Sequence, residues 1–331
     1  MEKIRASLLT EVKNKLKLNN DTEVRENVDM SGLTSFRAGG KAALLAEVGS
    51  VESLKNALKI VSAAGVFHMI LGNGSNTLFK DSGYEGVVIR LSQESFSAVE
   101  IEGEETSEVR VADKNGTDNA KASNKILVRA GAGILLSSLA KALMSHSLSG
   151  FEFAGGIPGS LGGALFMNAG AYGGEMKDIV RSVKAVAPDG SHEKLFSAEE
   201  MNFSYRHSAL EENGYIAVEA EMELLAGDKE HIAEKMKELA IKRSSKQPVQ
   251  YPSAGSTFKR PEGYFAGKLI EDAGLKGVAV GGAQVSVLHS GFIINKGGAT
   301  ATDIIRLITL VQNRVYDEFG IMLQPEVKII G

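Results

Sequence analysis

The chain has 331 residues, 43% of them hydrophobic and 24% charged, the balance of an ordinary soluble globular protein with room for two or three domains. A formal net charge of −4 gives no support to a nucleic-acid or anionic-membrane partner. With no cysteine, disulfides, thiolate nucleophiles, cysteine-based zinc sites and cysteinyl cofactor links are all excluded. At the start, MEKIRASLLTEVKNKL alternates charge with apolar residues and lacks the apolar core of a signal peptide. No segment approaches ~18 uninterrupted apolar residues. A cytoplasmic protein with no membrane partner is therefore expected. Residues 3–18 carry a helical stripe, Ile4, Leu8, Leu9, Val12 and Leu16, and a polar stretch follows to about residue 33. LTSFRAGGKAALLAEV reads as turn and strand. Val51, Leu54, Ala57, Leu58 and Val61 form an amphipathic helix, with Ser50 as its N-cap and Gly65 as its stop. Residues 66–71 read as a buried strand running into Gly72-Asn73-Gly74-Ser75-Asn76-Thr77, which completes a βαβ-like first lobe.

From Gly86 the texture changes to short apolar strands between glycine turns: GVVIRL, FSAVEI, EVRVA and KILVRAGAG, then a helix over Leu135–Leu148. Residues 113–124 contain almost nothing apolar and predict an exposed hairpin loop. Strands follow in IVRSVKAVAPDG and GYIAVEAEMEL. A third region opens with a helix capped by Asp228 and carrying Ile232, Met236 and Leu239. It continues with a Gly/Pro-rich loop, a helix near 264–272, strands at 278–295 and a capped helix from Thr302 to Phe319. The fold class is α+β, divided as an N-terminal helical extension (1–30) and regions 31–85, 86–225 and 226–331.

Glycine stands at 37 residues, above a typical ~7%, and it clusters. The densest run is Gly155-Gly156-Ile157-Pro158-Gly159-Ser160-Leu161-Gly162-Gly163-Ala164. Such a run exposes backbone N–H groups and admits a diphosphate closely, although tight turns and close layer packing use glycine equally well. The familiar nucleotide devices are missing. GNGSNT has Thr77 where a dinucleotide fingerprint needs its third glycine, and no G-x-x-x-x-G-K-[ST] occurs. The six histidines lack metal-ligand spacing, and His68 and His146 read as structural. No metal is expected, and no G-x-S-x-G elbow is present.

Two glycine segments, LGNGSN and GIPGSLGGALFMNAGAYG, together resemble the FAD-binding domain of the vanillyl-alcohol-oxidase/PCMH (VAO/PCMH) type. That resemblance implies a two-lobed domain over 31–85 and 86–225 whose loops wrap the flavin pyrophosphate. The cofactor-binding residues it implies are Gly72, Asn73, Gly74, Ser75, Asn76 and Thr77 in one loop. In the other they are Gly156, Ile157, Pro158, Gly159, Ser160, Gly162, Gly163 and Ala164. FSYRHS around Arg206, AGSTFKRP around Ser256 and QPEVKIIG around Glu326 resemble the UDP-N-acetylenolpyruvoylglucosamine reductase family, as do TSFRAGG near Arg37 and AGKLIEDAGLKG near Lys268. The match runs from about residue 31 to the C-terminus and makes 226–331 the substrate-binding domain.

What this resemblance implies is NADPH-dependent reduction of the enolpyruvyl ether of a UDP-sugar to a lactyl ether, with non-covalent FAD as carrier. Arg206 and Glu326 are the expected stabilisers of the enolate-like charge, and Ser256 the expected proton donor. Arg243 and Lys246, with Lys276, are expected to face the substrate diphosphate. Taken singly, each has an ordinary role: surface ion pair for Arg206, turn former for Ser256, strand carboxylate for Glu326, helix-dipole complement for the cations. Two features depart from one branch of the family. Arg260 stands where that branch has asparagine near the uridine, and the interval from Arg206 to Ser256 is too short for its tyrosine-bearing lid. The chain thus resembles the shorter, lidless branch. Another flavin oxidoreductase of the same fold, acting on an alcohol or sugar, is the alternative enzyme. A non-redox nucleotide-sugar binding protein is the alternative of a different class. Oligomeric state is not legible, and a monomer is compatible with the sequence.

Overall fold

The computed structural model describes residues 2–102 and 125–331. The loop expected over 113–124 and the EVRVA strand before it lie outside the described residues. The chain divides into two compact units, one of residues 1–95, 186–192 and 240–331, the other of residues 96–185 and 193–239.

In the first unit, helix Glu2–Leu16 packs on helix Val51–Ala63 and strand Lys41–Val48, burying Val12 and Leu16. A four-stranded sheet runs in the order Thr22–Asp29, Lys41–Val48, Tyr84–Leu91, His68–Ile70. The first pair is antiparallel, with Leu45 opposite Arg25, and the other pairs are parallel, with Leu45 beside Val88. Parallel neighbours require a crossover, and helix Val51–Ala63 supplies it. Its N-terminus is fixed as the sequence implies: the Ser53 N–H donates to Ser50 Oγ at 3.1 Å, and the Ser50 N–H to Ser53 Oγ at 3.0 Å. Gly65, at φ +62, follows its end.

Strand Thr22–Asp29 lies inside the stretch that reads as merely polar. It is an edge strand whose Glu23, Arg25 and Glu26 face solvent, and its inward face offers only the half-buried Val24 and Val28, too little apolar pattern to stand out in the sequence. Its ladder and the Arg25–Glu47 ion pair at 3.8 Å hold it instead. The strand expected over 66–71 contracts to His68–Ile70 and is half-buried.

The same unit holds a second core. Helix Ala301–Phe319 turns Ala301, Ile304, Leu307, Ile308, Val311 and Val315 inward at helical spacing, against the antiparallel strands Ala279–Val280, Ala283–Val285 and Ile293–Asn295. Its cap is Thr300, two residues ahead of the Thr302 start expected from the sequence. The Asp303 N–H donates to Thr300 Oγ1 at 3.0 Å, and the Thr300 N–H returns to Asp303 Oδ2 at 3.1 Å. Helix Ala266–Asp272 completes the layer, and Phe36, Ala38 and Leu78 join the cluster from the other end of the sequence. Strand Lys328–Ile330 pairs in parallel with Thr77–Phe79, Lys328 opposite Thr77.

In the second unit, the sheet order is Glu193–Ser197, Val180–Val186, Ile216–Ala226, Lys125–Gly131, Val99–Ile101. The long strand Ile216–Ala226 buries Val218, Ala220, Met222 and Leu224 on one face, the period-2 pattern of a sheet packed on one side. The helix expected over Leu135–Leu148 ends at Ser145. Ser147 at φ +59 and Gly150 at φ +112 leave the helical region, and Leu148–Ser149 returns as a strand against Leu225 and Ala226. Asp228 caps helix Lys229–Lys246 by accepting the His231 N–H at 2.8 Å.

Candidate active site

The first glycine segment, Gly72 to Thr77, leaves strand His68–Ile70 and is bolted to the TSFRAGG turn. The Ser35 N–H donates to Gly74 O at 3.0 Å, and Ser35 Oγ donates to Ser75 O at 3.2 Å. Gly74 sits at φ +63, and a Cβ there would lie 2.0 Å from the Leu33 carbonyl oxygen. Gly74 is therefore demanded by its own neighbours. The turn beneath it is braced in turn by Asn295, whose Nδ2 donates to Phe36 O at 3.0 Å while Oδ1 accepts the Gly297 and Ala299 N–H groups. The sequence does not announce this brace, because the Phe36 carbonyl that Asn295 meets lies 259 positions away.

Ser256 and Glu326 come together on neighbouring backbone strands of the same unit. The Glu326 N–H donates to Thr257 O at 2.8 Å, the next rung joins Lys259 N to Gln324 O at 2.8 Å, and Thr257 N donates to Gly291 O at 2.8 Å. Thr257 is fully buried, and its Oγ1 accepts the Ile293 N–H at 3.0 Å. Ser256 beside it is exposed. Gly255, at φ +73 with nothing within 4 Å of a built Cβ, is set by its dihedral angle alone. Asn76 of the glycine segment donates from Nδ2 to Glu326 O at 3.1 Å, and Lys328 N donates to Asn76 O at 3.0 Å. The glycine segment, Thr257 and Glu326 thus belong to one hydrogen-bonded patch, with exposed Ser256 next to Thr257 in the chain.

Arg243 and Lys246 occupy the last turn of helix Lys229–Lys246. Lys276 is held by Glu271 at 3.1 Å, an exposed pair of small energetic weight. Arg260 lies with Cζ 3.9 Å from the Phe265 ring centre and donates from Nε to Tyr264 O at 3.3 Å. The edge-on His289–Phe292 contact lies near the Ser256 strand, and burial pushes the His289 imidazole below its usual pKa, keeping it uncharged at neutral pH.

The second unit carries the other glycine segment and Arg206. Gly156, Ile157, Pro158 and Gly159 run along the surface into Ser160, which caps helix Leu161–Phe166. A Cβ on Gly162 would lie 3.2 Å from Ala132, so internal packing explains that glycine. Gly163 is different: it is exposed, and a Cβ there would meet only Ser160 Oγ, at 3.6 Å. A helical glycine costs about 1 kcal/mol relative to alanine, and no protein atom accounts for it. Gly163 is thus an uncovered stretch of helix backbone beside the glycine segment.

Arg206 sits at the tip of a two-residue turn. Ser204 N donates to His207 O at 3.1 Å and His207 N returns to Ser204 O at 3.2 Å, leaving Tyr205 and Arg206 between them. Arg206 has φ +55, a left-handed conformation uncommon for a long side chain. His207 braces the turn through Glu212 at 2.9 Å and Glu211 at 3.3 Å. Nothing in FSYRHS announces this backbone; Asn and Gly are the residues that usually do.

Comparison with known proteins follows this geometry closely. A family model described as an FAD binding domain matches residues 42–195, and one described as the UDP-N-acetylenolpyruvoylglucosamine reductase C-terminal domain matches residues 247–330. The chain is 48% identical, over 96% of its length and 97% of the relative's, to the UDP-N-acetylenolpyruvoylglucosamine reductase of Clostridioides difficile (strain 630). It is also 48% identical to that of Caldanaerobacter subterraneus subsp. tengcongensis, over 92% of this chain and 93% of the other. The crystal structure of the Thermus caldophilus enzyme matches 94% of this chain and 100% of its own at 34% identity, with a TM-score of 0.74. An α+β oxidoreductase built on an FAD-binding domain is thereby defined. The chain belongs to the UDP-N-acetylenolpyruvoylglucosamine reductase family, whose members serve peptidoglycan precursor synthesis. Among the described residues, no helix is long and apolar enough to cross a membrane.

Proposed function

We propose that this chain reduces UDP-N-acetylglucosamine enolpyruvate to UDP-N-acetylmuramate with NADPH as reductant, and that Arg206, Ser256 and Glu326 carry the chemistry. The observation that bears most weight is the link from Asn76 to Glu326 to Thr257, which ties a flavin-type glycine segment to the proton donor and carboxylate of one reaction.

When bound, FAD would be held without a covalent bond by Gly72, Asn73, Gly74, Ser75, Asn76 and Thr77 and by Gly156, Ile157, Pro158, Gly159, Ser160, Gly162, Gly163 and Ala164, and would supply hydride-transfer chemistry between NADPH and the substrate. The chain's own part concerns the substrate. The enolpyruvyl carboxylate is conjugated with the C=C bond, so hydride arriving at the terminal carbon leaves an electron pair on the adjacent carbon, delocalised into the carboxylate. Arg206, with a permanently charged planar fork, suits that carboxylate. Glu326 partners the same group in a protonated or strongly hydrogen-bonded state, since a bare carboxylate would repel the growing charge. Ser256 then gives its hydroxyl proton to the adjacent carbon and is reprotonated by relay. One hydride and one proton thus add across the double bond. Exposed Ser256 suits this role better than Thr257, whose hydroxyl is fully buried. Arg243 and Lys246 meet the diphosphate, and Lys276 joins them by exchanging Glu271 for it.

Anaerobic half-reactions test the reading. NADPH should bleach the yellow protein, and the enolpyruvyl substrate should restore the colour. Colour restored only by oxygen would overturn the reductase assignment. Ser256→Ala should keep the bleaching rate within a few-fold while slowing the second half-reaction about 10²–10⁴-fold, the usual span for a lost general acid. Equal slowing of both halves would make Ser256 a flavin-positioning residue instead.

A further inference from the structure

We infer that Asn168 is a positioning residue for Arg206; this rests on the role proposed for Arg206 above. Asn168 is fully buried and lies at φ +44, just beyond the short helix Leu161–Phe166 that ends the second glycine segment. Its side-chain amide is shared among three partners. Nδ2 donates to Ser204 O at 3.0 Å and to Glu175 Oε2 at 2.5 Å, and Oδ1 accepts the Lys177 N–H at 2.9 Å. Both N–H donors and the carbonyl are therefore in use, which no other residue of this size can reproduce.

The bond to Ser204 is the informative one. Ser204 and His207 close the turn with two reciprocal backbone hydrogen bonds, and Arg206 occupies its tip in a left-handed conformation. A non-glycine residue in that conformation costs of order 1–3 kcal/mol and persists only where its surroundings over-determine it. Asn168 holds the Ser204 end of the turn from outside it, while Glu211 and Glu212 hold the His207 end, and Asn168 does so from a left-handed backbone that asparagine tolerates better than most residues. Glu175 in turn fixes which way the amide faces: only the NH₂ group can meet a carboxylate, so the carbonyl must point to Lys177. Without the amide, the turn keeps its internal bonds and the His207 brace but loses its hold at Ser204. A shift of Arg206 by the ångström or so that this permits costs about 100-fold in a positioned reaction.

The test uses the FAD-loaded full chain and two half-reactions. Asn168→Gly keeps the left-handed backbone accessible and removes the amide; Asn168→Asp keeps shape and the acceptor to Lys177 while removing both donors, and serves if the glycine variant does not fold. Either should slow reoxidation by the enolpyruvyl substrate about 100-fold and leave NADPH bleaching within about 3-fold. In an Arg206→Ala background the same substitution should change reoxidation less than about 3-fold, because the residue it positions is gone. Equal slowing of both half-reactions, or a loss that persists at full size beside Arg206→Ala, would overturn the inference. Should Arg206→Ala alone leave reoxidation intact, the role of Arg206 fails first and this inference with it, a result separable from the other two.

Discussion

A methyl group on Gly74 would press to 2.0 Å of the Leu33 carbonyl oxygen, whereas one on Gly163 would meet nothing closer than 3.6 Å. The two positions should therefore answer oppositely to alanine. Gly74→Ala combines a left-handed φ with a backbone clash and should cost at least about 1–3 kcal/mol, read as a lower denaturant midpoint of the flavin-free protein. Gly163→Ala removes a helical glycine and should leave that midpoint unchanged or raise it by up to about 1 kcal/mol, while FAD binding weakens. Undiminished FAD affinity in Gly163→Ala would mean that nothing approaches that backbone closely. Both glycines are equally visible in the sequence; only the neighbours, Leu33 in one case and open space in the other, separate a folding requirement from a binding one. Arg206 was legible as a residue type and a motif. Its left-handed backbone and the Asn168 amide behind it were not, since the bond joins positions 36 residues apart and no local pattern encodes it.

At the scale of elements, helix Ala301–Phe319 has two caps. Besides the Thr300–Asp303 box, Asp81 accepts the Ala301 N–H at 2.9 Å and the Thr302 N–H at 2.8 Å, placing a carboxylate at the positive end of the helix dipole. Burial alone would raise the Asp81 pKa, but the hydrogen bonds from Thr302 and Ala301 outweigh it and hold it below the ordinary 3.8. A carboxyl whose folded pKa is depressed stabilises the fold above its unfolded value and loses that contribution as pH falls through the folded one. Asp81→Ala should thus cost about 1 kcal/mol near neutrality, and the gap to the parent protein should close as pH drops below 3.8. A gap independent of pH would assign the effect to packing. The helix itself was readable from Ile304, Leu307, Ile308, Val311 and Val315, and the Val51–Ala63 helix from its Ser50 cap, because both signals are local. Asp81 lies about 220 positions from the amides it caps, and strand Thr22–Asp29 has only Val24 and Val28 as apolar residues among its eight, so neither was read beforehand.

For the molecule as a whole, composition favours FAD held without a covalent bond. There is no cysteine, and no histidine falls within residues 72–77 or 155–164. Denaturation should consequently release all of the flavin into solution, and colour retained on the precipitated polypeptide would contradict this. Free FAD added in excess should also raise the unfolding midpoint, by about 2.7 kcal/mol at a hundredfold excess over its Kd. The α+β class and the order of the glycine motifs were legible at this scale. The sharing of one core by Phe36, Leu78 and Val327 was not, because adjacency of distant segments leaves no periodicity in either.

The first unit is assembled from three separate stretches, and the core that Phe36 and Leu78 join is built mostly from residues beyond 240. A ribosome adding ~5–20 residues per second needs roughly 7–30 s to cover the intervening segment. Throughout that interval the nascent first stretch holds two large apolar side chains with no finished core to receive them, while most of the second unit is already outside and able to fold. Slowing translation between residues 96 and 239 should therefore increase aggregation rather than relieve it, and unchanged aggregation would contradict this.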